Sequence, residues 1–225
     1  MTQKMDALAA PAEDEPAWKQ RAVERSTRAA KQRAEQRVQR FLDAAQSLIT
    51  REGTTDFTVQ QVVEASNQSL RSFYQHFDGK HELLLALFED ALRRATDQIR
   101  AAASVPDDSL ERVKVAVQLL FELSRPDPGA KRPLFTEFAP RLLISHPTEV
   151  RGAHAPLLAL LSELLTEAED AGKLRPGVSP RRAAALTMQT VMFVAQSAVV
   201  SDNEDLPVIT ADEIWDFCSR GFAGA

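Results

Sequence analysis

Apolar residues recur at helical spacing along almost the whole of this 225-residue chain. Phe41, Leu42, Ala45, Leu48 and Ile49 form an i, i+1, i+4, i+7, i+8 stripe. Gly53 stands where a glycine ends such a helix. Upstream, residues 17–37 are helix-forming in composition but have few apolar positions, so they predict a charged arm extending the first packed helix. Residues 1–16 lack periodicity and carry Pro11 and Pro16, which predicts a disordered acidic tail.

The next segment changes rhythm. Thr58 with Gln61 three residues on is a capping-box pattern, and Val59, Val62, Val63 and Ala65 supply an apolar side. Ser66-Asn67-Gln68 predicts a turn, since Asn tolerates left-handed backbone better than most residues. Ser69 then caps a short helix to about His76, and Asp78-Gly79 breaks it. A fourth helix is predicted over about 80–102, with Leu83, Leu84, Leu87, Phe88 and Leu92 on one side. Two short helices crossing through a tight turn are able to place one of them in the major groove of DNA, which makes DNA reading the first hypothesis.

Five more helical stretches follow. One is capped by Pro106-Asp107-Asp108-Ser109 and reaches about Leu123, where Arg125-Pro126-Asp127-Pro128-Gly129 interrupts. Residues 133–145 predict a short apolar helix with Phe135, Phe138, Leu142 and Leu143, and 148–171 a long leucine-rich one ended by Gly172. Residues 180–201 are apolar nearly all round, so both sides of that helix are expected to be covered. Residues 210–222 place Ile214, Phe217, Cys218 and Phe222 on one stripe. The expected fold is all-α, about nine helices: a three-helix helix-turn-helix domain, then a helical body. The expected divisions are a tail (1–16), a DNA-binding domain with its arm (17–82) and the body (83–225).

Composition narrows the picture. Hydrophobic content of 44% is enough for a core, while 8 glycines and one tyrosine favour helices over sheets. A single cysteine, Cys218, excludes an internal disulfide and a cysteine-based zinc site. No stretch reads as a signal peptide or a spanning helix, so a cytoplasmic protein is expected, nucleoid-associated when on DNA and without a membrane role. The net charge of -5 hides an asymmetry: residues 17–40 hold eight Lys and Arg against two Glu, while residues 1–16 are acidic. A basic end on an acidic body suits docking on phosphate. The arm itself is read either as ordering on DNA, along the minor groove or neighbouring phosphates, or as a solvated helix.

The run Leu42-Asp43-Ala44-Ala45, Gly53, Phe57-Thr58-Val59, Val62, Ala65, Ser69, Ser72-Phe73-Tyr74-Gln75-His76-Phe77 and Lys80-His81-Glu82-Leu83 resembles the N-terminal domain of the TetR family of bacterial transcriptional regulators. The resemblance covers about a fifth of the chain; the rest is similar only in helix count and in the Gly172-Lys173-Leu174-Arg175-Pro176 break. It implies that Thr58, Ser69, Tyr74, His76 and Lys80 clamp the DNA backbone. Helix N-termini at Thr58 and Ser69 suit that task, because free N–H groups and a positive dipole end attract phosphate. Base reading falls to Gln60, Leu70, Arg71 and Gln75: Arg with guanine, Gln with adenine, Leu with a thymine methyl. The family usually has Gly at position 67, Thr at 72 and often Gly at 71. Asn67 keeps the turn feasible, Ser72 keeps a hydroxyl, and Arg71 adds either a base reader or a phosphate contact. Phe77 reads as core; for Tyr74 the ring reads as core and the hydroxyl as a phosphate partner.

The resemblance also implies a homodimer through helices 180–201 and 210–222, forming a four-helix interface, with an internal core helix as the alternative. It implies a small-molecule pocket, for which Phe88, Phe121, Phe135, Phe138, Met188, Met192 and Phe193 are candidates, each also readable as plain core. Those residues suit a hydrophobic effector better than a charged one, with His146 and His154 as polar contacts. The expected function is a repressor released from a palindromic double-stranded operator by that effector. The alternatives are a TetR-like activator and a helical protein-binding adaptor without DNA binding. No enzyme activity, cofactor or metal is expected: the chain shows no Gly-rich phosphate loop, no Gly-x-Ser-x-Gly elbow and no second His paired with His81-Glu82 at zinc-protease spacing.

Overall fold

The computed structural model describes residues 16–125, 138–197 and 209–224. These are helical apart from turns and one isolated antiparallel bridge, Leu174 with Ala223. The chain forms two compact units, Met1–Arg40 and Phe41–Ala225, with the division inside helix α1 (Ala17–Glu52). No Gly or Pro interrupts α1, which explains its length. In the first unit the described side chains are almost all exposed. Lys31 and Glu35 pair one turn apart at 3.8 Å, and the Arg25 and Arg33 guanidinium groups donate to the Arg21 and Ala29 carbonyls. None of these contacts buries apolar surface, so the helix there rests on its own propensity.

The second unit begins with the anticipated stripe: Phe41, Leu42, Ala45, Leu48 and Ile49 are all buried. Gly53 sits at φ 67° and donates its N–H to Ile49 at 2.8 Å, closing the helix. Helix α2 (Val59–Ala65) starts with the full capping box: Thr58 Oγ1 accepts from the Gln61 N–H at 3.2 Å, and Gln61 Oε1 accepts from the Thr58 N–H at 2.7 Å. Val62 and Val63 are buried, whereas Ala65, expected on the apolar side, is exposed. Asn67 adopts φ 52°, the left-handed turn its residue type allows. Helix α3 (Leu70–Tyr74) is capped by Ser69, whose hydroxyl accepts from the Ser72 N–H at 3.1 Å. It stops before the expected His76, with Gln75 as its C-cap.

Helices α4 (Lys80–Ala103), α5 (Ser109–Ser124), α6 (Ala139–Ser145), α7 (Pro147–Asp170), α8 (Pro180–Ser197) and α9 (Ala211–Phe222) complete the unit. Helix α5 lies among α4, α7, α8 and α9, and its Val113, Ala116, Val117, Leu120 and Phe121 form the centre of one core with α7 leucines and α8. Asp108 caps α5 through the Leu110 and Glu111 N–H groups. A hydrogen bond from Lys173, with those backbone donors, holds its carboxyl below the usual range. After α7, Gly172 takes φ 70°, and Arg175 donates its N–H to Phe222 at 2.9 Å while Gly224 donates to Lys173 at 2.7 Å. The break recognised at 172–176 thereby anchors the end of α9.

Of the predicted helix 133–145 the described helix begins at Ala139, and residues 133–137, Phe135 included, lie outside the described residues. Helix α8 is not covered on both sides within one chain: Leu186 and Phe193 are 67% and 73% exposed, and residues 198–201 lie outside the described residues. One further expectation changes, on α9. The buried stripe there is Ile214, Trp215, Cys218 and Phe222, with Phe217 68% exposed. The i, i+1, i+4, i+8 spacing places Trp215 where Phe217 was expected. Burial raises the Cys218 thiol to about 11, so it stays neutral and unreactive at ordinary pH.

The left-handed Asn67 is the strained point of the turn between α2 and α3. Replacing it with Val is expected to destabilise the protein by about 1–2 kcal/mol, while Gly is tolerated, as measured by urea unfolding. Equal stability of the two variants would contradict the backbone assignment.

Candidate nucleic-acid interface

Five residues make a helix with little stability of its own. What seats α3 is Phe73, fully buried and edge-on to Phe41 at 5.4 Å, with Phe77 against both rings at 5.4 and 6.2 Å. Phe77 is core, as read from the sequence. Tyr74 packs its ring edge-on to Phe73 at 5.4 Å yet is 55% exposed, which is compatible with a held ring and an accessible hydroxyl.

Around this seat the candidate DNA residues divide. Thr58, Gln60, Ser69, Leu70, Arg71, Tyr74 and Gln75 are exposed, on α2, α3 or their caps. Gln60 Nε2 donates to Glu64 at 2.8 Å, so pairing with a base requires the amide to leave that partner or use its oxygen. Ser69 uses a lone pair for its cap and keeps its own proton as a donor. Thr58 spends its hydroxyl proton on Gln61 Oε1 at 3.0 Å. Lys80 and His76 are half-buried; the Lys80 ammonium lies 5.1 Å from the centre of the Phe57 ring. Ser72 is placed differently. Its hydroxyl is sealed from solvent without a hydrogen-bond partner, as is His76 Nε2. Ser72 presents no hydroxyl to a duplex in this conformation.

The expected ligand residues are not brought to one cavity. Phe88 and Phe121 are plain core, Met188 is buried in the same core, Met192 is half-buried against it and Phe193 is exposed; Phe135 lies outside the described residues. Among the described residues of the set only Phe138 lines a cavity of about 470 Å³, with Thr55, Asp56, Lys80, His81, Leu84, Arg141, Leu142, Ser145 and His146. Sequence spacing offered no link between His81 and His146, whose rings meet at 4.7 Å. His154 packs instead edge-on to Phe88 at 5.7 Å, away from that cavity's lining. Its Nδ1 lies 2.8 Å from the Val150 carbonyl, an acceptor only, which puts the proton on Nδ1.

Residues 41–87 match the family described as "Bacterial regulatory proteins, tetR family". No curated protein matches the chain. Among solved structures, the fatty acid degradation regulator FadR from Bacillus halodurans is 21% identical, with a TM-score of 0.62 over 80% of this chain and 93% of that one. FadR from Bacillus subtilis, solved with stearoyl-CoA, is 16% identical, with a TM-score of 0.58 over 81% and 98%. SmeT, the repressor of a Stenotrophomonas maltophilia multidrug efflux pump, is 18% identical, with a TM-score of 0.59 over 83% and 90%. Over residues 41–87 the chain is thus similar to the regulatory proteins of the tetR family, and the chain as a whole shares the fold of these solved structures. Among the described residues no helix is long and apolar enough to cross a membrane.

Burial lowers the pKa of His154, partly offset by its bond to Val150, so the folded protein holds it neutral. As pH falls, the unfolded chain takes up this proton first, from about 6.5, and stability declines until the lower folded pKa is passed. His154→Gln keeps a donor for Val150 but does not titrate. It is expected to lose less stability than the natural protein between about pH 7.5 and about pH 5 in urea unfolding. Parallel pH profiles would exclude a neutral, buried His154.

Proposed function

We propose that this protein is a sequence-specific DNA-binding transcriptional regulator, a repressor that leaves a palindromic operator when a small, largely apolar effector binds its helical body. The observation that carries this reading is a capped five-residue helix, seated by Phe73, inside the stretch matching the tetR family and presenting Leu70, Arg71 and Gln75 to solvent. In the proposed division, residues 17–82 bind DNA, with the basic arm adding phosphate contacts, and residues 83–225 bind the effector and dimerise. Thr58, Ser69, Tyr74 and Lys80 hold phosphates, which sets register and affinity, and His76, with Nε2 sealed, joins them only through its other ring nitrogen. Gln60, Leu70, Arg71 and Gln75 read base edges. Ser72 joins this set only through its backbone, since its hydroxyl faces inward.

The relatives support the coarser part: SmeT is a repressor, and FadR from Bacillus subtilis was solved with stearoyl-CoA. A two-fold dimer is proposed through α8 and α9, whose Leu186, Phe193 and Phe217 are exposed in the single chain and need a cover. Two reading heads then meet successive major grooves about 34–36 Å apart, and an effector favouring another head spacing weakens DNA binding.

Fluorescence anisotropy on duplexes from the DNA flanking the protein's own gene tests this. Lys80→Ala is expected to weaken all duplexes alike and to lower the salt slope by about 0.9. Arg71→Ala is expected to cost about 1–3 kcal/mol of discrimination at one base position. Uniform weakening by Arg71→Ala would reassign it to phosphate, and salt-insensitive binding would sink the DNA reading. Phe193→Glu with Phe217→Glu is expected to halve the sedimenting mass without unfolding the chain, since neither side chain belongs to the monomer core. An intact dimer would move the interface elsewhere.

A further inference from the structure

The cavity described above is chemically distinct from the apolar core. Its lining joins the turn before α2 (Thr55, Asp56), the first turn of α4 (Lys80, His81) and the α6–α7 corner (Arg141, Leu142, Ser145, His146). Two cations, Lys80 and Arg141, line it with one carboxylate, Asp56, an excess of one positive charge before the two imidazoles are counted. Among the described residues neither Lys80 nor Arg141 is ion-paired. The His81 and His146 rings lie 4.7 Å apart, and Phe138 meets His81 edge-on at 5.5 Å. His146 Nδ1 contacts Ser145 Oγ at 2.7 Å, which leaves Nε2 for another partner. Leu84, Phe138 and Leu142 provide an apolar wall.

We propose that this cavity binds a small amphipathic carboxylate, one per chain, with its anionic end held by Arg141 and Lys80 and its apolar body against Leu84, Phe138 and Leu142. One excess positive charge matches one negative charge, and a guanidinium fork matches a carboxylate. The volume of about 470 Å³ lies within the usual range for small-molecule sites, roughly 300–1,000 Å³. The site deepens the regulatory reading by giving the effector an acidic end. Lys80 belongs both to this cavity and to the proposed phosphate clamp, and it serves one anion at a time. Carboxylate and DNA therefore compete for it, and linkage makes each weaken the other. That competition rests on the DNA reading; the binding site does not.

The test uses the full-length protein and calorimetric titration without DNA, with octanoate and phenylacetate as probes and their amides as neutral controls. At least one carboxylate is expected to saturate at one per chain, with its amide about tenfold weaker or worse. Arg141→Gln, a change at an exposed position, is expected to lower carboxylate affinity about tenfold with an unchanged melting profile. Absence of saturable binding by both acids, equal binding of acid and amide, or undiminished binding by Arg141→Gln overturns the site. A second arm repeats the DNA titration with the bound carboxylate present. Weakening of DNA binding in the natural protein and not in Arg141→Gln is expected, and unchanged DNA affinity overturns the competition. A protein that binds the carboxylate but no duplex would refute the DNA reading while leaving the site in place.

Discussion

Helix α3 is too short to persist without support: one hydrogen-bonded turn carries the full cost of nucleation. Everything proposed for DNA reading depends on the three phenylalanine rings that hold it. Phe41 comes from α1, Phe73 from α3 and Phe77 from the turn after it, so the cluster ties the helix to its neighbours in sequence and in space. With Phe73 fully buried, the rotation of α3 is set and Arg71 and Gln75 are left in solvent. The caps act on top of this. Thr58 and Ser69 satisfy N–H groups at the starts of α2 and α3 and fix where each helix begins.

The first turn of α4 joins α2 and α3 to the helices that follow. Lys80 lies over Phe57 of the turn before α2, and His81 stacks on His146 at the α6–α7 corner. Further along, α4 packs on α5 and α7, with the Arg100–Glu163 pair at 2.9 Å across its surface. That pair is exposed and contributes about 1 kcal/mol or less, so the buried contacts decide how α4 is held.

Much of the stretch from α1 to α3 was legible because its signals are local. A capping box, an Asn in a left-handed turn and a glycine stop each act within four residues, and each formed at its expected position. The body's helices were legible from periodicity, which follows from the geometry of a single helix. Failures began where one helix meets another. Phe217 shares apolar character with Trp215 and Phe222, yet packing against α5 and α8 selected Trp215 for the core. Phe88 and Phe121 suggested a pocket lining by size alone, and close packing turned them into core.

The amino-acid order by itself determined where the helices start and stop, which side of each is apolar, and that a short capped helix follows a left-handed turn. Those properties depend on neighbours within one or two turns. Only the tertiary structure decided that the Ser72 hydroxyl faces inward, that α8 keeps Leu186 and Phe193 uncovered in one chain, and that His81 meets His146 across a cavity holding Lys80 and Arg141. Residues far apart along a chain come together through the summed packing of every helix between them, and no local spacing encodes that sum.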